Sequence, residues 1–313
     1  MHSPVEKIAI ILVNWHGFSH TQKCVLSLQK VNATKLEIIV VDNGSGRDEL
    51  RRLQTLANTT LIENEVNLGF TGGNNVGIAY AIKNGSDVIV LLNNDTEVEP
   101  DFLLPLVEQL KRKETGAVQP KIMTMQRENT LWNVGGRFNS WLGLPRVIGE
   151  GVHDTGQYDQ VRAIDWVTGC CLAARVDVFK EVGLLDKTYF LLCEDVDWSL
   201  RVKKAGYQLM YEPKSKIHHF EGSTSRLKNS KEALSPFRLY FNVRNHLFLI
   251  KRYTNRLTRP FAMILYFTKV LGWSAYFLIR GRKEKLRYTI LGIRDGVFNL
   301  GPIKVPKQEH SND

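Results

Sequence analysis

The pattern that most constrains the fold of this chain is a series of short apolar runs, each followed within two residues by Asn, Asp or Gly. Four such runs, at residues 7–13, 37–41, 60–62 and 87–92, are rich in β-branched residues and apolar on both faces. This composition indicates strands of a parallel sheet that is covered on both sides. Helical patterns lie between the runs, at 19–29, 47–56 and 74–84. The alternation predicts an α/β fold with a Rossmann-like, mostly parallel sheet flanked by helices.

The following part of the chain has a weaker pattern. A further helix is predicted at 102–113, and residues 116–162 are scattered Gly, Trp and polar residues that favour an antiparallel excursion with loops. Two short helices are predicted at 178–182 and 197–205, the second ended by Gly206.

The charge of the chain divides it into a body and a tail. Residues 1–225 contain 24 Lys and Arg against 27 Asp and Glu, a net charge of −3, whereas residues 226–313 contain 18 against 5, a net charge of +13. With 43% hydrophobic residues over 313 positions, a mostly disordered chain is excluded. No helix-turn-helix, RNA-recognition or zinc pattern accompanies the basic tail, so we expect no nucleic-acid partner.

Within the tail, residues 260–279 form an almost wholly apolar run with basic residues on both sides. Its length qualifies it as a membrane span, but Lys269 near its centre would cost about 2.5–3.5 kcal/mol there. The aromatic residues and basic flanks also fit helices that lie on an anionic membrane surface. A packed helical subdomain or a contact between copies is the third alternative.

The cysteines and the start of the chain indicate a cytoplasmic protein. Four cysteines in 313 residues make no disulfide framework, and no C-x-x-C occurs. The apolar run at 8–13 is too short for the core of a signal peptide, so we interpret it as the first buried strand.

Polar residues follow each of the four predicted strands. They are Asn14, the run Asp42, Asn43, Gly44 and Ser45, then Asn64 to Asn67, and finally Asn93, Asn94 and Asp95. Turn and cap preferences could explain any one of them. Because ligands of such sheets bind beyond the carboxyl ends of the strands, four in succession predict a ligand site.

Two of these segments also contain residues suited to binding an anionic group or a metal ion. Gly69, Gly72 and Gly73 precede a predicted helix and allow close backbone approach by an anionic group, although the spacing matches neither a dinucleotide nor a P-loop motif. Oxygen ligands at Asn93 and Asp95 suit Mg²⁺ or Mn²⁺ held together with substrate phosphates.

Two later segments contain titratable groups. Glu194, Asp195 and Asp197 fall within four residues at a helix start, where they serve either the helix dipole or general-base catalysis. Their crowding predicts a raised pKa for at least one of them. The adjacent His218 and His219, before a Gly-Ser-Thr turn, are candidates for ligation or phosphate contact.

In chain order, VDNGS, NLGFTGGNN, LLNNDTEV, TGCCLAARVDVF, CEDVDWSLRVKKAGY and HHFEGSTS closely resemble family 2 glycosyltransferases. The nearest branch is the rhamnosyltransferase-like enzymes of bacterial surface-polysaccharide biosynthesis. The resemblance covers about residues 5–250, since FRLYFNVRNHLFLIKRY is similar to the family's tyrosine–Arg–Asn tail segment. It implies a GT-A fold and inverting transfer of a sugar from a nucleotide-sugar to a lipid-linked or polysaccharide acceptor.

The resemblance also implies residue roles. Asp195 would be the general base with Glu194 in support, and Asp95 and His219 would bind Mg²⁺ or Mn²⁺. His219 is preferred over His218 on its spacing to Gly222, and Asn93 replaces the first Asp of the family's metal signature, which leaves its ligation open. The nucleotide-sugar would contact Asn14, Asp42, Asn43, Gly44, Asn67, Gly69, Gly73, Asn74, Asn93 and Asn94.

The same resemblance divides the chain into a nucleotide-sugar half at about 1–115, an acceptor half at about 116–225 and the helical tail at 226–313. The branch favours dTDP-rhamnose as donor; UDP-hexoses or galactofuranose are alternatives, as is a catalytically inactive sugar-nucleotide-binding scaffold. The expected location is the cytoplasmic face of the bacterial plasma membrane, bound peripherally, and a homo-oligomer is a further possibility.

Overall fold

The structure, a computed structural model, describes residues 7–33, 35–220 and 235–302. Its strands are β1 (Ile8–Asn14), β2 (Leu36–Asn43), β3 (Thr59–Asn64), β4 (Val88–Asn93), β5 (Thr96–Val98), β6 (Thr115–Thr124), β7 (Leu131–Asn133), β8 (Gly136–Asn139), β9 (Leu144–Val147), β10 (Arg162–Ile164), β11 (Cys171–Arg175) and β12 (Gln208–His219). Its helices are α1 (Phe18–Leu28), α2 (Arg47–Leu53), α3 (Gly69–Lys83), α4 (Leu103–Leu110), α5 (Val176–Val182), α6 (Glu194–Lys204), α7 (Pro236–Tyr253), α8 (Arg259–Ile279) and α9 (Lys283–Phe298).

One large sheet forms the centre of the body. Its strand order is β10-β12-β6-β11-β4-β1-β2-β3, with β5 added to β12 and β7 to β6. The pairs β1–β2, β1–β4, β2–β3 and β6–β12 are parallel. Because β11 is antiparallel to both β4 and β6, these two strands run in the same direction. Six of the ten strands therefore point one way, which confirms the predicted mostly parallel sheet.

The four predicted strands are present, and in β1, β2 and β4 the alternating side chains are buried on both faces, whereas the edge strand β3 is only partly buried. Ile10 and Leu12 of β1 pack under α1, α2 and α4, whereas Ala9 and Ile11 pack under α3, α5 and α6. All four side chains are fully buried. A strand buried on both sides has no polar face, and this explains the continuous apolar runs.

Helix α3 differs from the prediction at its start. It begins at Gly69, five residues before the predicted start, so Gly72 and Gly73 lie within the helix rather than in a loop before it. Close packing on the sheet is the reason: a Cβ at Gly73 would lie 2.8 Å from the Val13 side chain, and one at Gly77 2.5 Å from that of Ile11. These two glycines therefore let α3 approach β1 closely.

The second half of the sheet is more regular than the sequence predicts. Residues 116–162 contain the predicted excursion in β7 and the β8–β9 hairpin and end at the first residue of β10, but they also contain most of β6, a ten-residue strand buried at every position. Strand β12, twelve residues long, is not predicted at all because the exposed Lys214 and Lys216 on either side of the buried Ser215 interrupt its apolar pattern. Both strands extend the sheet beyond β11.

The tail is helical, as predicted, and it packs on itself and on the body. Apolar residues of α7 meet Ala262, Tyr266 and Val270, which form one stripe of α8. Other α7 residues, Phe248 and Leu249, join a cluster with Tyr189 and Val196 of the body. The predicted domain boundary at 225/226 lies outside the described residues, so the division into domains stays a prediction.

Candidate active site

The carboxyl ends of β1, β2 and β4 meet at one edge of the sheet, as predicted. Asn14 is in register with Asp42, and Val13 with Asn93. Asn14 and Asp42 are both buried. The Asn14 side-chain amide donates to Asp42 Oδ1 at 3.2 Å, and Asp42 Oδ2 accepts from the Ser45 backbone N–H at 3.2 Å. The sheet edge therefore carries a fixed carboxylate.

A polar chain links this carboxylate to the turn after β4. Thr21 of α1 donates its hydroxyl to Asn14 Oδ1 at 2.7 Å and accepts from the Asn94 amide at 2.8 Å. Glu49 of α2 accepts from the Asn14 amide and from the Phe18 backbone N–H. Asn14 thus holds three segments of the sheet edge in one arrangement, a role that the turn-residue pattern alone did not indicate.

Asn43 organises the other side of the edge. Its amide donates to Asn67 Oδ1 at 3.0 Å and to the Gly69 carbonyl at 3.1 Å, while its own Oδ1 accepts from the Leu68 backbone N–H. Gly44 has φ +78°, and a Cβ there would lie 2.6 Å from the Val66 backbone. The Asn43–Gly44 turn is therefore fixed against the segment that leads into α3.

Asn74 lies in the second turn of α3, where its amide donates to the Phe70 carbonyl at 2.9 Å. The neighbouring Asn75 exchanges two hydrogen bonds with the backbone of Leu185, at 2.8 and 3.1 Å. Both side chains are buried. The Asn75 side chain therefore holds α3 and the chain at Leu185 in one relative position.

Strand pairing brings Asp95 and His219 together. Strand β5 pairs with the end of β12, where Thr96 is in register with His219, and the Phe220 backbone N–H donates to the Asp95 carbonyl. His219 Nε2 lies 3.2 Å from Asp95 Oδ1, and the two side chains are 8% and 10% exposed. His218, one residue earlier on the strand, faces the other way and contacts Glu99 at 2.9 Å. The structure thus brings His219 rather than His218 to Asp95; the preference for His219 as a ligand stays a prediction, and Gly222, on which it rested, lies outside the described residues.

The Asp95–His219 pair is suited to a divalent metal that is shared with a substrate. In the part of the chain that the structure describes, no group of three or more His, Cys, Asp and Glu side chains is arranged to hold a metal ion. Within the same ranges, the buried His219 Nδ1 has no hydrogen-bond partner, and the Trp132 ring contacts the His219 ring at a tilt of 58° with centroids 4.4 Å apart. One carboxylate and one imidazole leave most of the coordination sphere to phosphate oxygens or water. The residues present fit a metal bound in this way.

The three acids at the start of α6 separate into different environments. Asp195, half-buried, accepts from the Gly169 backbone N–H at 2.9 Å and from that of Val196 at 2.8 Å. Glu194 is buried, and its Oε2 has no hydrogen-bond partner among the described residues. Burial raises the pKa of Glu194 well above its usual range, with the neighbouring Asp195 as the second cause.

Burial also raises the pKa of Asp195, while the backbone donors oppose that increase. The anionic form of Asp195 is therefore better stabilised than that of Glu194. The raised pKa expected from crowding of the acids is present at both residues, and its first cause is burial rather than crowding. This environment favours the anionic form at Asp195 over the anionic form at Glu194.

Asp197, the third acid, has a structural environment. It is fully buried and accepts from the Tyr253 hydroxyl at 2.7 Å and from Arg252 at 3.0 Å, both on α7. Arg201, one turn along α6, pairs with it at 3.0 Å. A carboxylate so fully bonded is not free to accept a proton from a substrate.

The two acidic centres, Asp95 with His219 and Glu194 with Asp195, lie at the same end of the molecule. The Cys170 thiol is within electrostatic reach of both Asp95 and Asp195, and burial raises its pKa well above the usual range. Arg238, in the first turn of α7, is within reach of both Asp95 and Glu194. Burial lowers the pKa of this guanidinium, whose Nε has no hydrogen-bond partner within the described ranges. Sequence reasoning missed Arg238, although it lies within the recognised tail segment.

Both the sequence and the fold of this chain are similar to those of known proteins. The sequence model for glycosyl transferase family 2 matches residues 10–183. The chain is 23% identical over 303 residues to the low-salt glycan biosynthesis hexosyltransferase Agl10 of Haloferax volcanii, covering 94% of this chain and 92% of that protein. It is 26% identical over 250 residues to the N-acetylglucosaminyl-diphospho-decaprenol L-rhamnosyltransferase of Mycobacterium tuberculosis, covering 71% and 78%.

Among solved structures, GalNAc-T7 with UDP, GalNAc and Mn²⁺ is similar to this chain, with a TM-score of 0.60 and 21% identity. The match covers 80% of this chain and about half, 48%, of that one. At this identity the similarity concerns the fold, which is GT-A.

Proposed function

Because this chain belongs to glycosyl transferase family 2 and is a glycosyltransferase with the GT-A fold, we propose that it moves rhamnose from dTDP-rhamnose to a hydroxyl group of a lipid-linked or polysaccharide acceptor, with inversion. The mycobacterial L-rhamnosyltransferase among its relatives supports the choice of sugar. The single observation that carries the chemistry is the half-buried Asp195 carboxylate beside the buried Glu194. We further propose the division into a nucleotide-sugar half at 1–115, an acceptor half at 116–225 and a tail at 226–313.

Asp195 is the general base of the proposed reaction. Its carboxylate accepts the proton of the acceptor hydroxyl while the hydroxyl oxygen attacks the anomeric carbon from the face opposite the nucleoside diphosphate. The new carbon–oxygen bond forms as the bond to the diphosphate oxygen breaks, and the bonding electrons leave with the diphosphate. The N–H donors of Gly169 and Val196 hold the carboxylate in one orientation, so both oxygens are fixed before the acceptor arrives.

Glu194 and Arg238 support this step. The raised pKa of Glu194 disfavours a second negative charge beside Asp195, and this favours the anionic form of Asp195. The Arg238 guanidinium, close to both acidic centres, would meet the negative charge that develops on the leaving diphosphate.

The sheet edge forms the proposed donor pocket. Asp42, fixed by Asn14 and Ser45, would accept hydrogen bonds from the nucleoside, and the turn at Asn43 and Gly44 would form the adjoining wall. The other proposed donor contacts lie around the start of α3 and the end of β4: Asn67, Gly69, Gly73, Asn74, Asn93 and Asn94.

Asp95 and His219 would hold the divalent metal, Mg²⁺ or Mn²⁺, with Asn93 as a further possible oxygen ligand. When bound, the ion supplies positive charge that stabilises the departing diphosphate. The Mn²⁺ in the related GalNAc-T7 structure supports a divalent metal here. Trp132 would restrain the His219 ring through its tilted ring contact.

A panel of sugar nucleotides tests the proposed donor. The purified chain is incubated with Mn²⁺ or Mg²⁺ and dTDP-rhamnose, UDP-glucose, UDP-galactose, UDP-N-acetylglucosamine or UDP-galactofuranose, and release of nucleoside diphosphate is measured. We expect dTDP-rhamnose to be turned over fastest. Preferential turnover of a UDP-sugar would replace rhamnose as the donor. Binding without turnover in the presence of lipid-linked and polysaccharide acceptors would instead identify a sugar-nucleotide-binding scaffold.

We also propose that the tail attaches the enzyme to the cytoplasmic face of the plasma membrane. Among the described residues, α8 is the one helix long and apolar enough to cross a bilayer, yet only 22% of its most apolar window is buried. One stripe packs on α7, while Ile264 and Leu271 are 61% and 70% exposed. Basic residues follow at Arg280, Arg282 and Lys283. An apolar face with basic ends fits a helix lying on anionic lipid, close to a lipid-linked acceptor.

Vesicle sedimentation tests this attachment. We expect the protein to sediment with vesicles containing phosphatidylserine and to remain in solution with phosphatidylcholine alone. Leu271→Glu should abolish sedimentation, whereas Leu104→Glu, at a 64% exposed leucine of α4, should not. A dimer in solution that ignores both kinds of vesicle would assign the α8 face to a contact between copies instead.

A further inference from the structure

The segment that leads into α6 has an unusual backbone. Phe190, Leu192 and Cys193 all have positive φ, between 63° and 70°, and none of them is glycine. Bulky residues seldom adopt this conformation unless their surroundings impose it. Residues 188–193, which we name the α6 entry segment, end directly before Glu194 and Asp195.

Two adjacent side chains of α7 bind the carbonyl groups of the entry segment. Asn245 donates from its amide to the carbonyls of Tyr189, Leu191 and Leu192, at 3.0, 2.8 and 2.7 Å. Arg244 donates to the Thr188 carbonyl and, at 3.0 Å, to that of Tyr189. Both side chains are fully buried. Four of the six carbonyls in the segment are therefore held by two residues.

Hydrogen bonds between the two side chains, and from Arg244 to Tyr240, fix the orientation of both. Arg244 Nε donates to Asn245 Oδ1 at 2.9 Å, which directs the Asn245 amide nitrogen toward the entry segment. Tyr240 contacts Arg244 through its hydroxyl and donates to Asp295 of α9 at 2.7 Å. The planar guanidinium is thus held in one arrangement, which a lysine could not reproduce.

The other side of the entry segment contacts the start of α3. The Phe190 carbonyl accepts from the Thr71 backbone N–H at 3.2 Å, and a Cβ on Gly69 would lie 2.5 Å from that carbonyl oxygen. The Phe190 ring stacks on Phe241 of α7, with centroids 5.2 Å apart. The segment is therefore held between the proposed donor helix and the tail.

We propose that Arg244 and Asn245 are positioning residues that set the place of the Asp195 carboxylate relative to the donor by holding the α6 entry segment in its left-handed conformation. The inference rests on the proposed function, because it concerns the same general base. The Asn245 amide group donates to the entry segment, and the side-chain hydrogen bonds of Arg244 run to that segment, to Asn245 and to Tyr240. The tail helix α7 would then be part of the catalytic machinery.

The test compares Asn245→Ala and Arg244→Lys with Lys251→Met in the full-length protein. Lys251 also lies on α7 and donates three hydrogen bonds to the end of α9, so it controls for lost tail packing without a contact to the entry segment. We measure kcat and the donor dissociation constant with the sugar nucleotide that the wild type turns over. Hydrogen exchange of residues 186–197 is measured by mass spectrometry in the absence of substrate.

We expect Asn245→Ala to lower kcat by about 10- to 100-fold, since a misplacement of about 1 Å in a catalytic group can cost about 100-fold. The donor dissociation constant should stay within about 3-fold of wild type, because a displaced base impairs the chemical step rather than donor binding. Exchange in 186–197 should be faster than in wild type. Arg244→Lys should show the same changes to a smaller extent, and Lys251→Met should show none of them.

The inference is overturned if kcat of both Asn245→Ala and Arg244→Lys equals that of Lys251→Met, or if exchange of 186–197 is unchanged. Should Asn245→Ala fail to fold, Arg244→Lys decides alone. If the wild type turns over no sugar nucleotide, the proposed function fails, and the exchange rates still decide whether the two side chains hold the segment.

Discussion

Replacing Asp195 by Asn should remove the general base while leaving the fold and donor binding in place. Loss of a positioned base lowers the rate by about 10²–10⁴-fold, equivalent to about 3–5 kcal/mol of transition-state stabilisation. The structural cost is smaller. Asn offers one oxygen where the carboxylate accepts from Gly169 and Val196, so one hydrogen bond worth about 0.5–1.5 kcal/mol is lost.

Asp177→Asn is the matched control. Asp177 stands in the first turn of α5 and accepts from the Val178 backbone N–H at 2.8 Å, the same distance as between Asp195 and Val196. The same chemical change is therefore made at a second helix start, away from the site. Its kcat should equal that of wild type, and its unfolding free energy should fall by a similar, small amount.

The assay follows nucleoside diphosphate release with donor and acceptor both present, and calorimetric titration of the donor in Mn²⁺ measures binding. We expect Asp195→Asn to bind the donor as wild type does while turning over at least about 100-fold more slowly. In wild type, kcat should fall as the pH drops through the raised pKa of Asp195, because protonation removes the base. Turnover of Asp195→Asn within about 10-fold of wild type would refute its assignment as the base.

Three further substitutions test other parts of the structure. Glu194→Gln should stabilise the fold increasingly as the pH rises above the usual glutamate range, because the folded state keeps a proton on Glu194 that the unfolded state loses. Thermal melts at pH 5 and pH 8 measure this difference. An equal shift in melting temperature at both pH values would contradict the raised pKa. His219→Ala should weaken Mn²⁺-dependent binding of dTDP or UDP by at least about 10-fold, and His218→Ala should not, as titration calorimetry will show. Gly77→Ala should lower the free energy of unfolding, measured in urea, by about 1–3 kcal/mol, because the new Cβ would lie 2.5 Å from the Ile11 side chain in the core. Gly272→Ala, at a position of α8 that is open to solvent, should leave the free energy of unfolding unchanged.

Much of the first half of the fold follows from local patterns. The strands β1, β2 and β4 are buried on both faces, and this continuous burial appears directly in the sequence as apolar runs. Strand β12 does not appear in this way because Lys214 and Lys216 alternate with buried residues and interrupt the apolar pattern. The early start of α3 is hidden for a different reason: Gly73 and Gly77 are poor helix formers, and only packing on the sheet explains them.

The parts of the candidate site that could be predicted are those whose reactive residues stand close together along the chain. Asp95 and the Glu194–Asp195 pair are recognisable from their own segments. The different environments of the acids are not, because the Asp197 carboxylate is bonded by Arg252 and Tyr253, more than 50 positions away along the chain. Long-range contacts of this kind depend on the packing of α7, which no local pattern encodes.

The anomeric configuration of the first product tests the central claim, a single displacement with Asp195 as base, most directly. The product formed from the preferred sugar nucleotide is isolated, and the configuration of the new glycosidic bond is determined by proton NMR. We expect a configuration opposite to that of the donor. A product with the donor's configuration would contradict it, since retention requires a mechanism other than one direct attack.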